Sequence, residues 1–424
     1  MNNAPHRVTV NAAQPFNFRF ADELVIILAG TIFVLKGWSI MIRNNRTELN
    51  TKILYRRQLF MALFRGCTCV LFILGLSLAG HTDSHDCNVK PTCFETISVA
   101  KDVYAVIAKP GTLGEWALGN GAFIVNQNDV VVVDTQMRPS WASEVISEIR
   151  KITDKPVLYV INTHWHRDHV QGNQTYLEAF GPRVTIIQQE FAREDQIKNQ
   201  PFELQVRAPE EVSRLENLIA ADEDEKGARL NATGRSRLEK LLAAQKDYLS
   251  EVPKIRIIPG TLTFANRMVL YEGSREIRLY YFGYAHTRGD LVVFLPAEKV
   301  VITGDIVQAG IPDMRRAYPV QWLSVLESLR MLDWNNNIPG HGSVQNGKET
   351  LDRFISYMND LVSGVRTAVA RNLTVEQTIE FVDLKRYAPV TDSTLPAPLN
   401  QDQDERNVAA VRRTYEELSG KIEK

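Results

Sequence analysis

One short run governs how this chain can fold: His164-Trp165-His166-Arg167-Asp168-His169, set directly behind the apolar stretch 157–161 (VLYVI). The chain has eight histidines, and only five follow residue 85. Three of those five are in this run. The others are His286, in Tyr284-Ala285-His286-Thr287-Arg288-Gly289-Asp290, and His341, in Pro339-Gly340-His341-Gly342. Asp305, in Thr303-Gly304-Asp305, closes a further apolar stretch at 299–303. Each of these groups falls where a strand should end, and strand-end loops are where a sheet scaffold presents functional side chains. Scattered histidines would be ordinary partly buried residues. A run that uses every histidine of the body of the chain predicts a metal site instead.

The residue types fit that chemistry. Neutral imidazole binds zinc at ~2.0–2.1 Å, and carboxylate oxygen serves similarly. His164 and His166, two apart, can converge on one ion from a tight loop, leaving Asp168 and His169 to turn towards a second. An aspartate between two dications can bridge them. Two metals at ~3.5–4 Å could share a hydroxide and clamp a developing oxyanion, with the water pKa lowered towards ~7. No cysteine lies after residue 93, so a cysteine nucleophile or a thiolate metal site in the body of the chain is excluded.

The pattern around these residues is α/β. Strands are predicted at 103–107, 122–125, 130–133, 157–161, 184–188, 255–258, 268–271, 277–282, 291–295 and 299–303, with Asn126-Gln127-Asn128-Asp129 as a hairpin turn. Helices are predicted at 141–151, 321–332, 347–370, 374–381 and 404–422. Residues 190–252 are highly charged and carry leucines at helical spacing; they read as two amphipathic helices, a solvated insertion packed on the domain. No repeat of fixed period is present. Net charge is -1, from 49 basic and 50 acidic residues, which disfavours a general nucleic-acid binder.

The first eighty residues differ. Residues 24–42 form a 19-residue apolar stretch broken by Lys36, close to the length that crosses a ~30 Å hydrocarbon core as a helix. Residues 66–80 suit a signal-peptide core. The basic connection between them, with Arg43, Arg46, Lys52, Arg56 and Arg57 against Glu48, is predicted to be cytoplasmic. Arg56-Arg57 loosely resembles a twin-arginine signal. The expectation is a targeting or membrane segment at 1–80, a polar linker at 81–96, a catalytic domain at 97–385 and a helical extension at 386–424. The protein would be exported, periplasmic or on the outer face of a membrane, and Cys87 and Cys93 could pair there.

The metal-ligand pattern resembles the metallo-β-lactamase superfamily over approximately residues 100–385. The resemblance implies an αββα four-layer sandwich with the metal site at one edge of two facing sheets. It implies two zinc ions: one on His164, His166 and His286, the other on Asp168, His169 and His341, with Asp305 bridging. Asp168 would also accept or relay a proton as the catalytic residue, and Asp134 would orient a ligand histidine. Asp305 at the bridging position is like the glyoxalase-type thioesterases, lactonases and alkylsulfatases, and unlike the cysteine-bearing β-lactamase classes. The implied activity is hydrolysis of an ester, thioester, lactone or amide bond, β-lactam included, in a small-molecule substrate. A metal oxidoreductase or sulfur-handling enzyme on the same scaffold, and a membrane-anchored interaction protein, are the alternatives. The loop 110–116, Trp116, Trp165, Tyr284, Arg315 and Arg316 are candidate substrate contacts. The sequence leaves the oligomeric state open.

Overall fold

The computed structural model describes residues 23–28, 31–36, 93–109, 118–225, 227–308, 310–387 and 403–422. The loop 110–116, the linker cysteine Cys87, and the stretch 66–80 lie outside the described residues. The chain divides into two units, residues 1–83 and 84–424. In the first, β1 (Glu23–Leu28) and β2 (Thr31–Lys36) pair antiparallel, from Leu28 opposite Thr31 to Glu23 opposite Lys36. These are two paired strands where the sequence reads as one membrane-length helix. The β-branched residues Val25, Ile26, Ile27, Thr31, Ile32 and Val34 favour the strand. Among the described residues no helix is long and apolar enough to cross a membrane.

In the second unit, seven strands form one sheet in sequential order: β3 (Phe94–Ala100), β4 (Val103–Ala108), β5 (Gly121–Val125), β6 (Val130–Val133), β7 (Val157–Ile161), β8 (Thr185–Gln189) and β9 (Leu262–Phe264). β3 to β6 are antiparallel, and β6 to β9 run parallel. The second sheet contains β10 (Arg267–Glu272), β11 (Arg275–Tyr280), β12 (Val292–Leu295), β13 (Val300–Gly304), β14 (Asn336–Pro339) and β15 (Gln345–Asn346). Only the β13–β14 pair in it is parallel. The fold is thus α/β with two mixed sheets.

Strand alternation decides which residues face where. On β5, Ala122 and Ile124 point between the sheets, while Phe123 and Val125 point outward. On β6, Val131 and Val133 point inward and Val130 and Val132 outward. β12 mirrors this, with Val293 and Leu295 inward and Val292 and Phe294 outward. Near-continuous apolar strands of this kind require cover on both faces. The first sheet's outer face takes Trp141, Val145, Ile146 and Ile149 of α1 (Pro139–Ile152). Two helices follow the metal-ligand run, α2 (Arg167–Val170) and α3 (Asn173–Phe180). Three more, α4 (Glu190–Phe202), α5 (Ala208–Ala221) and α6 (Ala232–Glu251), lie between β8 and β9. The second sheet's outer face is covered by α7 (Pro319–Arg330) and α8 (Glu349–Ala370), with α9 (Val375–Phe381) and α10 (Gln403–Leu418) outside them. Trp322 of α7, fully buried, meets Phe354 of α8 edge-on at 5.4 Å.

Two expectations change. Residues 255–258 are extended but pair in no strand; β9 at 262–264 closes the sheet instead. The segment 190–252 has three helices rather than two, because a π-helical turn, Glu203–Arg207, stands between α4 and α5. The charged helical pattern continues across it, so spacing alone could not show the break.

Candidate metal centre

The predicted donors reach one edge of the sandwich from both sheets. His164 and His166 follow β7, and α2 turns Asp168 and His169 back towards them. From the second sheet come His286, in the β11–β12 loop, Asp305, behind β13, and His341, behind β14. Among the described residues, two groups have donor atoms within 4.8 Å of one another: His164, His166, His286 and Asp305, and Asp168, His169 and His341. Asp305 adjoins both. Its Oδ2 is 3.3 Å from His286 Nε2 and 3.5 Å from His341 Nε2, and its Oδ1 is 3.5 Å from His169 Nε2. Asp168 Oδ2 is 3.2 Å from His169 Nε2 and 3.1 Å from His341 Nε2.

Hydrogen bonds behind the cluster aim the imidazoles. Asp134 Oδ2 is 2.8 Å from His169 Nδ1, so the carboxylate holds the proton there and turns Nε2 towards the cluster. Asp134 is fixed in turn by Thr163, which donates its N–H at 2.8 Å and its hydroxyl at 2.7 Å. The structure therefore places Asp134 where the resemblance implied. Sequence reading missed Thr163, Asn120 and Gly340. Asn120 donates to the carbonyls of Pro339 (2.9 Å) and Gly342 (2.7 Å), tying the first sheet to the His341 loop. Its flanking glycines, Gly119 and Gly121, were the available signal. Gly340 is required by space: a Cβ there would lie 2.0 Å from Asp305 Oδ1.

The electrostatics suit cations. Burial lowers the pKa of His164, His286 and His166, the last to about 3, so these rings stay neutral and available as donors. Burial also opposes charge on His169 and His341, but the facing carboxylates outweigh it. His169 is held well above the usual histidine value and His341 is raised to about 9. Asp168 and Asp305 are held well below the carboxylate range: burial works against their charge, and the imidazoles around them more than compensate. His164 Nε2, His169 Nε2 and Asp305 Oδ1 are buried with no hydrogen-bond partner. His166 Nδ1 and His286 Nε2 face each other at 3.0 Å, which two lone pairs do not tolerate without a proton or cation between them. Unpartnered ligand atoms and ionised carboxylates converging on one point are what a pair of divalent ions requires, and ions held there would displace the protons that His169 and His341 otherwise keep.

The family comparison agrees with this geometry. Residues 114–333 match the family model of the metallo-beta-lactamase superfamily. The chain belongs to that superfamily. A linear primary-alkylsulfatase of Pseudomonas sp. (strain ATCC 19151) is 21% identical over 273 residues, covering 60% of this chain and 48% of the relative. The chain thus spans about half the length of that relative. A metallo-beta-lactamase type 2 of Bacillus sp. (strain 170) is 21% identical over 237 residues, 54% of this chain and 69% of the relative. Among solved structures, a metallo-beta-lactamase from Pontibacter korlensis aligns with TM-score 0.44 at 16% identity, covering 63% of this chain and 99% of that one. The DIM-1 metallo-beta-lactamase aligns with TM-score 0.43 at 17% identity, covering 63% and 97%.

The cluster opens onto a cavity of about 650 Å³. His166, Asp168, His286, Asp305 and His341 form its metal-facing wall. Arg315, Arg316 and Trp165, candidates from sequence, line it as well. Trp165 is only 4% exposed and sits edge-on to His166, so it supports the ligand loop as well as the cavity. Tyr284 does not line the cavity; its ring packs against Tyr318 and Phe191. The insertion does more than pack on the domain. Its π turn brings Glu203 and Arg207 to the cavity beside Phe202 of α4, and Gln200 donates to the Trp165 carbonyl at 3.0 Å. Family membership and the His/Asp cluster together give the chain the superfamily's fold with a group of residues able to hold metal, and the cavity has the size for a small molecule.

Proposed function

We propose that the chain is a binuclear zinc hydrolase acting on an ester, thioester, lactone or amide bond, β-lactam included. The observation that carries this reading is Asp305, whose two oxygens stand within 3.5 Å of imidazole nitrogens from both ligand groups. His164, His166 and His286 would hold one ion, Asp168, His169 and His341 the other, and Asp305 both. Two zinc ions held there supply a water of lowered pKa and a positive charge that polarises the scissile group. Asp168, at the cavity wall, accepts and relays the proton released in the reaction. Its carboxylate is ionised, with Oδ2 3.2 Å from His169 Nε2 and 3.1 Å from His341 Nε2. Asp134 holds the His169 Nδ1 proton throughout. The β-lactamase and alkylsulfatase names of the relatives make β-lactams and sulfate esters two of the classes to screen.

An exported protein anchored or targeted by residues 1–80 is also proposed. Cys93 is disulfide-bonded, which suits an oxidising compartment.

The test is a screen of β-lactams, acyl-homoserine lactones, thioesters and alkyl sulfates on the purified protein, with metal quantification. Chelation should abolish hydrolysis and zinc restore it. Asp305→Ala should keep the fold and lose one metal equivalent. Turnover that persists in a metal-free preparation would contradict the reading.

A further inference from the structure

Outside the metal cluster the cavity is basic. Five arginines line it (Arg167, Arg207, Arg315, Arg316 and Arg406), against three carboxylates, Glu203, Glu210 and Asp313. Arg315 is already engaged by Asp313 as a bidentate pair, its Nε donating to Oδ1 and its Nη2 to Oδ2. Arg207 and Arg316 differ, because they meet on one oxygen. Glu203 Oε1 accepts from Arg207 Nη1 at 3.1 Å and from Arg316 Nη1 at 3.1 Å. Glu203 is 5% exposed, whereas the two arginine side chains are 39% and 47% exposed. A buried carboxylate therefore anchors two half-exposed guanidinium groups. The π turn allows this by putting Glu203 and Arg207 on one face, while Arg316 arrives from a loop behind the second sheet. The Arg316 guanidinium also lies 5.7 Å over the Trp165 ring, against the ligand loop. That second loop is held from behind by α10, where Arg413 donates to the Ala317 carbonyl at 2.7 Å and Arg406 to the Ile311 carbonyl at 2.6 Å.

We infer that Arg207 and Arg316 form a paired receptor for an anionic group of the substrate, carboxylate or sulfate, and that Glu203 is the positioning residue that sets their spacing. Each guanidinium uses one of its five N–H donors on Glu203 and presents the others at the cavity. The inference rests on the hydrolase reading and adds the charge of the substrate to it. Glu203 touches neither substrate nor metal; it acts through the two arginines.

Two effects of removing Glu203 oppose each other, and their sign decides the matter. Glu203→Ala makes the cavity one charge more positive, so a receptor working only through its net field binds anions more tightly. A receptor that depends on geometry binds them more weakly. Isothermal titration of the zinc-loaded full chain with hexanoate and with hexanol measures this. Hexanoate is expected to bind the parent protein more tightly than hexanol. Glu203→Ala and Arg316→Ala should each weaken hexanoate about tenfold, with hexanol unchanged. Glu203→Asp, which keeps the charge, should recover part of the loss. An unchanged thermal melt shows that each variant is folded. In steady state, an anionic ester such as mono-p-nitrophenyl glutarate should show raised KM and unchanged kcat in these variants. The neutral p-nitrophenyl butyrate should lose less in kcat/KM than the anionic ester does. Tighter hexanoate binding in Glu203→Ala, or unchanged binding in Arg316→Ala, overturns the inference. Hydrolysis with no preference for the anionic ester also sinks it and leaves the hydrolase reading intact. Loss of hydrolysis of every ester, with hexanoate selectivity retained, sinks the hydrolase reading alone.

Discussion

Asp134→Asn separates a supporting carboxylate from the ligands it supports. Asp134 has φ +61°, a left-handed conformation that asparagine tolerates, so the backbone survives the change. The substituted side chain can keep one interaction, its carbonyl oxygen accepting the Thr163 N–H now accepted by Asp134 Oδ1. The amide nitrogen then stands where Oδ2 accepted from the Thr163 hydroxyl and the His169 ring. An amide nitrogen donates, so His169 Nδ1 must accept, and the imidazole proton moves to Nε2. That is the atom aimed at Asp168 and Asp305, at 3.2 and 3.5 Å. A protonated Nε2 cannot ligate. Loss of such a partner typically weakens metal affinity or activity 10–100-fold, about 1.4–2.8 kcal/mol. The assay is competition of stripped protein with a chromophoric zinc chelator, alongside a thermal melt. One zinc equivalent should weaken by that factor. The other, on His164, His166 and His286, should change less. Two unchanged affinities in a folded Asp134→Asn protein would refute the tautomer argument.

Other outcomes follow from the same geometry. Gly340→Ala forces a methyl against Asp305 Oδ1 and should lower the metal bound per chain relative to the parent, read by elemental analysis. Asp290 is buried and accepts from the Thr287 N–H (2.7 Å) and hydroxyl (2.8 Å); burial raises its pKa from 3.8 to about 8. Between those values the unfolded chain has lost the proton that the folded chain keeps, so stability falls as pH rises, by at most about 1.4 kcal/mol per pH unit. In chelator-treated protein, Asp290→Asn should flatten that fall in denaturant titrations run from pH 4 to 8. A slope equal to the parent's would place the titration elsewhere.

The metal centre was legible because its chemistry is local in type, although remote in sequence. Histidine is scarce here, and three of the five in the body of the chain directly follow the apolar strand 157–161. The strands 122–125, 130–133 and 157–161 were legible for a related reason: they are buried on both faces and read as unbroken apolar runs. Residues 255–258 show where that signal misleads. The run Ile255-Arg256-Ile257-Ile258 is apolar because it packs on the first sheet's outer cluster, without entering the ladder. The paired strands 23–28 and 31–36 lie in a run of the same ambiguous kind, since an apolar run alone does not distinguish helix from strand. Glu203 and Asn120 were not legible. Neither carries a motif, and each matters through partners more than a hundred residues away, Arg316 for one and Pro339 and Gly342 for the other.

The site is built from two kinds of material, and this bears on how the protein would come to choose a substrate. The ligands hang from strand ends, where a shift of any one would disturb both sheets: Thr163 holds Asp134, and a Cβ on Gly304 would strike Thr163 Oγ1 at 2.5 Å. Such a frame leaves little room for variation. The opposite wall of the cavity is different. It comes from a π turn in a helical insertion, a loop carrying Arg315 and Arg316, and a C-terminal helix that grips that loop through Arg406 and Arg413. The insertion lies between two strands, and α10 lies beyond the family-matched residues 114–333. These elements carry none of the ligands, although Gln200 and Arg316 touch the ligand loop at Trp165. Membership of the superfamily therefore constrains the metal chemistry far more tightly than it constrains the substrate, and the residues to compare between this chain and its relatives are Glu203, Arg207 and Arg316 before any histidine.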